Sequence, residues 1–116
     1  MTPSTPHTPL AAQRCSHQNG PALAEANAAL LLQQLPSWSI EGEGKAALLT
    51  RTHPFPDFHH TMAFVNAVAW IAHEQDHHPD MLVSYNRCTV SWSTHSVGGL
   101  SINDFICAAR VDALLA

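Results

Sequence analysis

The chain has 116 residues, 46% of them hydrophobic, with five Lys and Arg against nine Asp and Glu and a formal net charge of −4. That length and apolar content suit one domain with its own core, and the scarcity of basic residues argues against a phosphate-backbone footprint for DNA or RNA. No apolar run approaches the roughly 20 residues of a membrane span and no signal-peptide pattern opens the chain; with three cysteines and no CxxC spacing, a reduced, cytoplasmic setting is expected.

Residues 1–20, rich in Pro, Thr, Ser and Gln, read as a flexible leader with little to bury, its His7 and His17 solvated. The domain is expected to span residues 21–116. Its first helix runs from Pro21 to about Leu35, where Pro36 follows, with Leu23, Ala26, Leu30, Leu31 and Leu35 as the apolar stripe. Two short strand-like runs, Trp38-Ser39-Ile40 and Ala47 to Thr52, flank Glu41-Gly42-Glu43-Gly44 and form a first hairpin, with Trp38 as a core or edge anchor.

Pro54-Phe55-Pro56 breaks the strand, and Asp57 is placed to cap a long helix from Phe58 to about Gln75. Phe58, Val65, Val68, Ala69 and Ala72 recur at helical spacing, widened by Phe64 and Ile71. After Pro79 the pattern alternates. Cys88, Val90, Trp92 and Thr94 share one strand face, while Thr89, Ser91, Ser93 and His95 share a hydroxyl-rich face. Ser101 to Asp104 has the spacing of a capping box opening a last helix, with Phe105, Ile106, Ala109 and Leu114 as its stripe. Helix, two strands, helix, two strands, helix predicts an α+β fold, a four-stranded antiparallel sheet with three helices packed on one face.

Chemistry concentrates between His73 and Asp104. If Asn86-Arg87 is a two-residue turn, Tyr85 opposes Cys88 and the same register sets His78 opposite His95, with His77 next door. Imidazoles clustered this way are candidate acid and base groups, because their unperturbed pKa near 6.5 suits proton transfer. Asp104 also has a structural role to hand, an anion at a helix N-terminus.

The same stretch holds His73-Glu74-Gln75-Asp76-His77, the H-E-x-x-H spacing of a zinc hydrolase, with His95 as a conceivable third ligand. That alternative needs helix through the second histidine, and Pro79 follows immediately. A further alternative is a dimerising, non-catalytic scaffold whose histidines confer pH sensitivity.

His77-His78-Pro79, Tyr85, Thr94-His95, Gly98-Gly99-Leu100-Ser101 and Asp104, together with the helix start at Pro56-Asp57-Phe58, resemble the pterin-4a-carbinolamine dehydratases over roughly residues 21–115. The resemblance implies the same fold and a cofactor-free, metal-free reaction. In that reaction 4a-hydroxytetrahydropterin, the product of aromatic amino-acid hydroxylases, loses water to give quinonoid dihydropterin. It implies His77, His78 and His95 as catalytic residues, Asp76, Pro79, Tyr85, Thr94 and Asp104 as binding or supporting residues, and a homodimer or homotetramer with a functional link to a hydroxylase. Two positions depart from the family pattern: His73 stands where an acidic residue is frequent, and Ser96 follows His95 where Asp or Glu is common. Those departures predict an altered rate or pH optimum rather than lost activity.

Overall fold

The computed structural model describes residues 8–116; His7 lies outside the described residues. Helix α1 (Glu25–Leu32), strands β1 (Ser39–Glu41) and β2 (Leu48–Pro54), helix α2 (Phe58–Gln75), strands β3 (Asp80–Ser84) and β4 (Arg87–Trp92), and helix α3 (Ile102–Ala113) follow in that order. The four strands form one antiparallel sheet in the order β1-β2-β4-β3. This is the α+β architecture that the alternating patterns predict. Among the described residues no helix is long and apolar enough to cross a membrane.

The register places Ile40, Leu49 and Trp92 in one row, with Val90 and Cys88 continuing the same face. These side chains form the core with Phe64, Val68, Ile71 and Ala72 of α2 and Phe105, Ile106 and Ala109 of α3. On the other face the hydroxyls of Thr50 and Ser91 meet at 2.9 Å and those of Thr52 and Thr89 at 2.8 Å, rungs that tie the two central strands together. In the first hairpin Gly42 has φ +78, and a Cβ there would run into the carbonyl of Ala46. The turn therefore requires glycine.

Several expected positions differ. In α1 the inward residues are Ala28 with the half-buried Leu31 and Leu32, continued by Leu35, while Ala26 and Leu30 face solvent. The run Ala29 to Leu32 is apolar at every position, so its periodicity does not choose a face. In α2 the stripe is Thr61, Phe64, Val68, Ile71, Ala72 and Gln75, leaving Phe58, Ala69 and Trp70 exposed. Leu114 lies past the end of α3 and is exposed too.

The second hairpin turns at Tyr85-Asn86, not Asn86-Arg87: Ser84 opposes Arg87 and Val83 opposes Cys88. Pairing ends at Asp80 with Ser91, and His95 belongs to a separate 3-10 turn (His95–Val97). His78 therefore does not oppose His95. The turn is pinned from outside the strands, Thr61 Oγ1 donating to the Tyr85 carbonyl at 3.0 Å and the Phe55 N–H to the Asn86 carbonyl at 2.8 Å. A slip of two residues keeps every side chain on its face, which is why the face assignments survive it.

Residues 8–20 are also unlike the leader expected of them. Leu10 is 4% exposed and joins the core, and the segment runs as a strap along α3. Arg110 donates to the Gln13 carbonyl, Asn103 Nδ2 to the Ser16 carbonyl at 2.7 Å, and Gln75 Oε1 accepts from the Cys15 N–H at 2.8 Å. Leu10, the half-buried Ala11 and Cys15 packed beside the core, and these bonds outweigh a polar composition.

Candidate active site

α2 ends where its chain reverses. Asp76 adopts the left-handed conformation, φ 50 and ψ 45, and its N–H returns to the carbonyls of Ala72 and His73. A short polar residue tolerates that geometry at a helix C-terminus. The reversal throws His77 off the helix and lays its ring over Trp92, centroids 5.6 Å apart and planes 14° from parallel.

From the other side comes α3. Ser101 and Asp104 form the predicted capping box, Ser101 Oγ accepting from the Asn103 N–H and Asp104 Oδ2 accepting from the Ser101 N–H at 2.9 Å. Asp104 is fully buried, and its other oxygen accepts from His77 Nε2 at 2.6 Å. Thr94 Oγ1 donates to Oδ2 at 2.9 Å; its only proton is thereby used, so Ser101 Oγ must donate to Thr94 across their 2.7 Å contact. The carboxylate thus collects three donors, and the helix cap and the histidine partner are the same group.

That network sets the protonation of His77. Burial works against a charged imidazole, but the hydrogen bond and the charge of Asp104 outweigh it, and the His77 pKa is raised above its ordinary value. With Nε2–H committed to Asp104, Nδ1 is the nitrogen left for a ligand.

His77 and Asp76 line a cavity of about 270 Å³ together with Gln75, Thr94 and Asn103, and the strap closes it with Cys15, Ser16 and Gln18. His95 is exposed and lines a second cavity of about 220 Å³ with Lys45, Ser93 and Gly98; Thr94 lines both. His78 is exposed, and Pro79 beside it is half-buried at the start of β3. Tyr85 sits at the hairpin tip, 69% exposed, roughly 17 Å from the histidine pair along a five-residue strand. Asp76, His77, Thr94 and Asp104 are therefore drawn together, with His95 adjacent through Thr94, whereas Tyr85 stands apart.

The H-E-x-x-H spacing does not become a helical pair, because α2 stops at Gln75 and His77 lies beyond it; His73 and Glu74 are solvent-exposed. Among the described residues no group of three or more His, Cys, Asp or Glu side chains could hold a metal ion. Sequence reading missed Asn103, Gln75 and the strap residues. Asn103 carries no motif, and the strap's place depends on contacts with α3 that no local pattern encodes.

The family model described as Pterin 4 alpha carbinolamine dehydratase matches residues 21–114. The chain is 56% identical over 108 residues to a protein of Stenotrophomonas maltophilia strain K279a provisionally named a pterin-4-alpha-carbinolamine dehydratase, 91% of each chain being covered. A Chromobacterium violaceum protein with the same provisional name is 52% identical over 101 residues, covering 86% of this chain and 90% of its own. Among solved structures, a transcriptional coactivator/pterin dehydratase from Brucella melitensis superposes with a TM-score of 0.75 at 29% identity, over 82% of this chain and 99% of its own. A pterin dehydratase-like RuBisCO assembly factor of the alpha-carboxysome gives 0.58 at 25% identity, over 67% of this chain and 88% of its own. With the match running from before α1 to the end of α3, through both the His77 turn and the Asp104 cap, the chain belongs to the pterin-4-alpha-carbinolamine dehydratase family.

Proposed function

We propose that the protein removes water from 4a-hydroxytetrahydropterin to give quinonoid dihydropterin, in the recycling of tetrahydropterin after aromatic amino-acid hydroxylation, with His77, His78 and His95 as its acid, binding and base groups. The observation that carries this reading is the pairing of the half-buried His77 with the buried Asp104 at the wall of a cavity. A raised pKa enlarges the share of imidazolium that His77 carries, which suits it to deliver a proton to the departing C4a hydroxyl. That hydroxyl leaves as water, the N5 proton passes to His95, and the N5–H electron pair forms the N5=C4a double bond. Proton transfers alone balance the reaction, so it needs no redox group or metal.

His78, exposed beside the cavity turn, orients the pterin; Thr94 and Asp104 hold His77; Asp76 and Pro79 shape the turn. Each proton-transfer group of this kind contributes typically about 10²–10⁴ in rate. The exposed side chains of Leu30, Phe58, Trp70, Leu82 and Tyr85 offer apolar area to a homodimer or homotetramer, Leu82 on the sheet face that Thr89 shares.

The names of the solved relatives, a coactivator/dehydratase and an assembly factor, give a second reading, a binding scaffold of the same fold. One experiment separates the two. Dehydration of 4a-hydroxytetrahydropterin generated in situ is followed by absorbance with the wild type, His77→Gln, His78→Ala and His95→Gln, with and without chelator. Chelator-resistant acceleration that falls in each variant supports the histidine mechanism. No acceleration over buffer by a folded wild type sinks it in favour of the scaffold.

A further inference from the structure

The strap over the His77 cavity carries one side chain with a chemistry of its own. Cys15 Sγ lies 3.5 Å from Cys107 Sγ, a contact that spans 92 residues of chain and joins the strap to the buried face of α3. We propose that Cys15 and Cys107 form a reversible disulfide that latches the strap across the cavity. The inference stands apart from the dehydratase reading, since it concerns the thiols and not the histidines.

The two sulfurs are not equivalent. Cys107 is fully buried, whereas Cys15 is half-buried and lines the cavity, so a small reagent meets Cys15 first. The hydrogen bond from Cys107, aided by the charges of His77 and Arg110, lowers the Cys15 thiol pKa despite burial and the opposing charge of Asp104. Cys107 is raised by the Cys15 sulfur and by burial. Thiolate character makes Cys15 the attacking group.

With a low-molecular-weight disulfide as oxidant, the Cys15 thiolate attacks one sulfur, a mixed disulfide forms and one small thiolate leaves. Cys15 then carries no negative charge, which removes the first-named obstacle to ionising Cys107. The Cys107 thiolate attacks the Cys15 sulfur, the protein disulfide forms and the second small thiolate departs. The protons given up by the two cysteines end on the two released thiols. Two protein thiols are oxidised and one small disulfide is reduced.

The test treats the reduced, full-length protein with oxidised glutathione, counts thiols after denaturation, and maps linkages by mass spectrometry. Digestion uses trypsin with chymotrypsin, because trypsin alone leaves Cys88 and Cys107 in one fragment while a cut after Trp92 separates them. The expected result is loss of two of the three thiols, a fragment joining Cys15 to Cys107, and full reversal by dithiothreitol. Amide exchange across residues 13–18 should slow by about tenfold or more in the oxidised form. Cys15→Ser, a change at a half-buried position, should keep its remaining thiols and form no bridge. A stable glutathione adduct on Cys15 with no bridge, a bridge to Cys88 or between chains, or survival of all three thiols would each overturn the proposal.

Discussion

Two histidines, the half-buried His77 and the buried His53, meet opposite fates in the same domain. His53, on β2, is 1% exposed and wedged between Trp38 and Phe64, ring centroids 5.8 and 4.5 Å away, and neither of its nitrogens finds a hydrogen-bond partner among the described residues. Burial, reinforced by the charge of Arg51, pushes its pKa down to about 4. His77 is also packed on an aromatic ring, but it has Asp104, and its pKa moves up. Burial by itself makes an imidazole neutral and inert; one buried carboxylate, held by donors of its own, turns the same ring into a proton-carrying group.

The sharpest way to break the contrast is Asp104→Asn. It removes the charge but keeps the volume, leaving burial opposed only by the weaker influences of Cys15 and Asp76, so the His77 pKa should fall in an NMR titration. Disrupting a buried, hydrogen-bonded pair costs about 3–5 kcal/mol, readable in urea unfolding at pH 7, and turnover should drop about 10²–10⁴-fold if His77 is the acid. The pH dependence follows from the sign of the shift. With the folded pKa raised, the stability from His77 is fully present below 6.5 and is lost as pH climbs through the folded value; Asp104→Asn should flatten that upper limb.

His53→Phe addresses the other partner. For a histidine lowered to about 4 from 6.5, stability is fully present above 6.5 and is lost as pH falls toward 4, by about 3 kcal/mol in all. The phenylalanine variant should lose this acid limb and be at least as stable at pH 7, since it replaces two unpaired buried nitrogens with carbon. The windows lie on opposite sides of 6.5, so unfolding measured at pH 4.5, 6.5 and 8.5 separates the two histidines. An unchanged acid limb in His53→Phe would show that His53 is not buried neutral.

The sequence revealed one side of this contrast more clearly than the other. The capping box at Ser101 to Asp104 and the Asp57 cap were legible because a cap is a bond between residues two or three apart. The strand faces were legible because alternation has period two, which also hid the true register: a turn at Tyr85-Asn86 and one at Asn86-Arg87 leave the same faces buried. What chose between them was Thr61 and Phe55, remote in sequence. The pairing of His77 with Asp104 was beyond reach from spacing, since it depends on a left-handed residue at Asp76 that sequence did not require. His53 looked like any strand histidine, and only the arrival of Trp38 and Phe64 made it the core's least satisfied polar group.

A smaller effect sharpens the Asp104 side. Ser101→Ala deletes the hydroxyl that caps α3 and donates to Thr94, but it spares the Ser101 N–H and Thr94 hydroxyl that reach Asp104. Loss of such a cap costs about 1 kcal/mol. The His77 titration should stay raised, because both direct donors to the carboxylate remain. A His77 pKa that collapses as in Asp104→Asn would mean that the serine hydroxyl, not the carboxylate alone, holds the site.

The smallest expected effect is the most discriminating about cause. His60 Nδ1 and Asp57 Oδ1 are 2.7 Å apart, almost the 2.6 Å of His77 and Asp104, yet their side chains are 59% and 54% exposed where the other pair shows 12% and 0%. Water screens the exposed pair and competes for both partners, so distance alone predicts little for it. The backbone N–H of residue 60, which Asp57 also accepts, survives replacement of the side chain. His60→Ala should therefore leave the unfolding midpoint where it is, at low salt as at high. If its midpoint falls as far as that of Ser101→Ala, proximity rather than burial governs these pairs, and the account of His77 loses its physical basis.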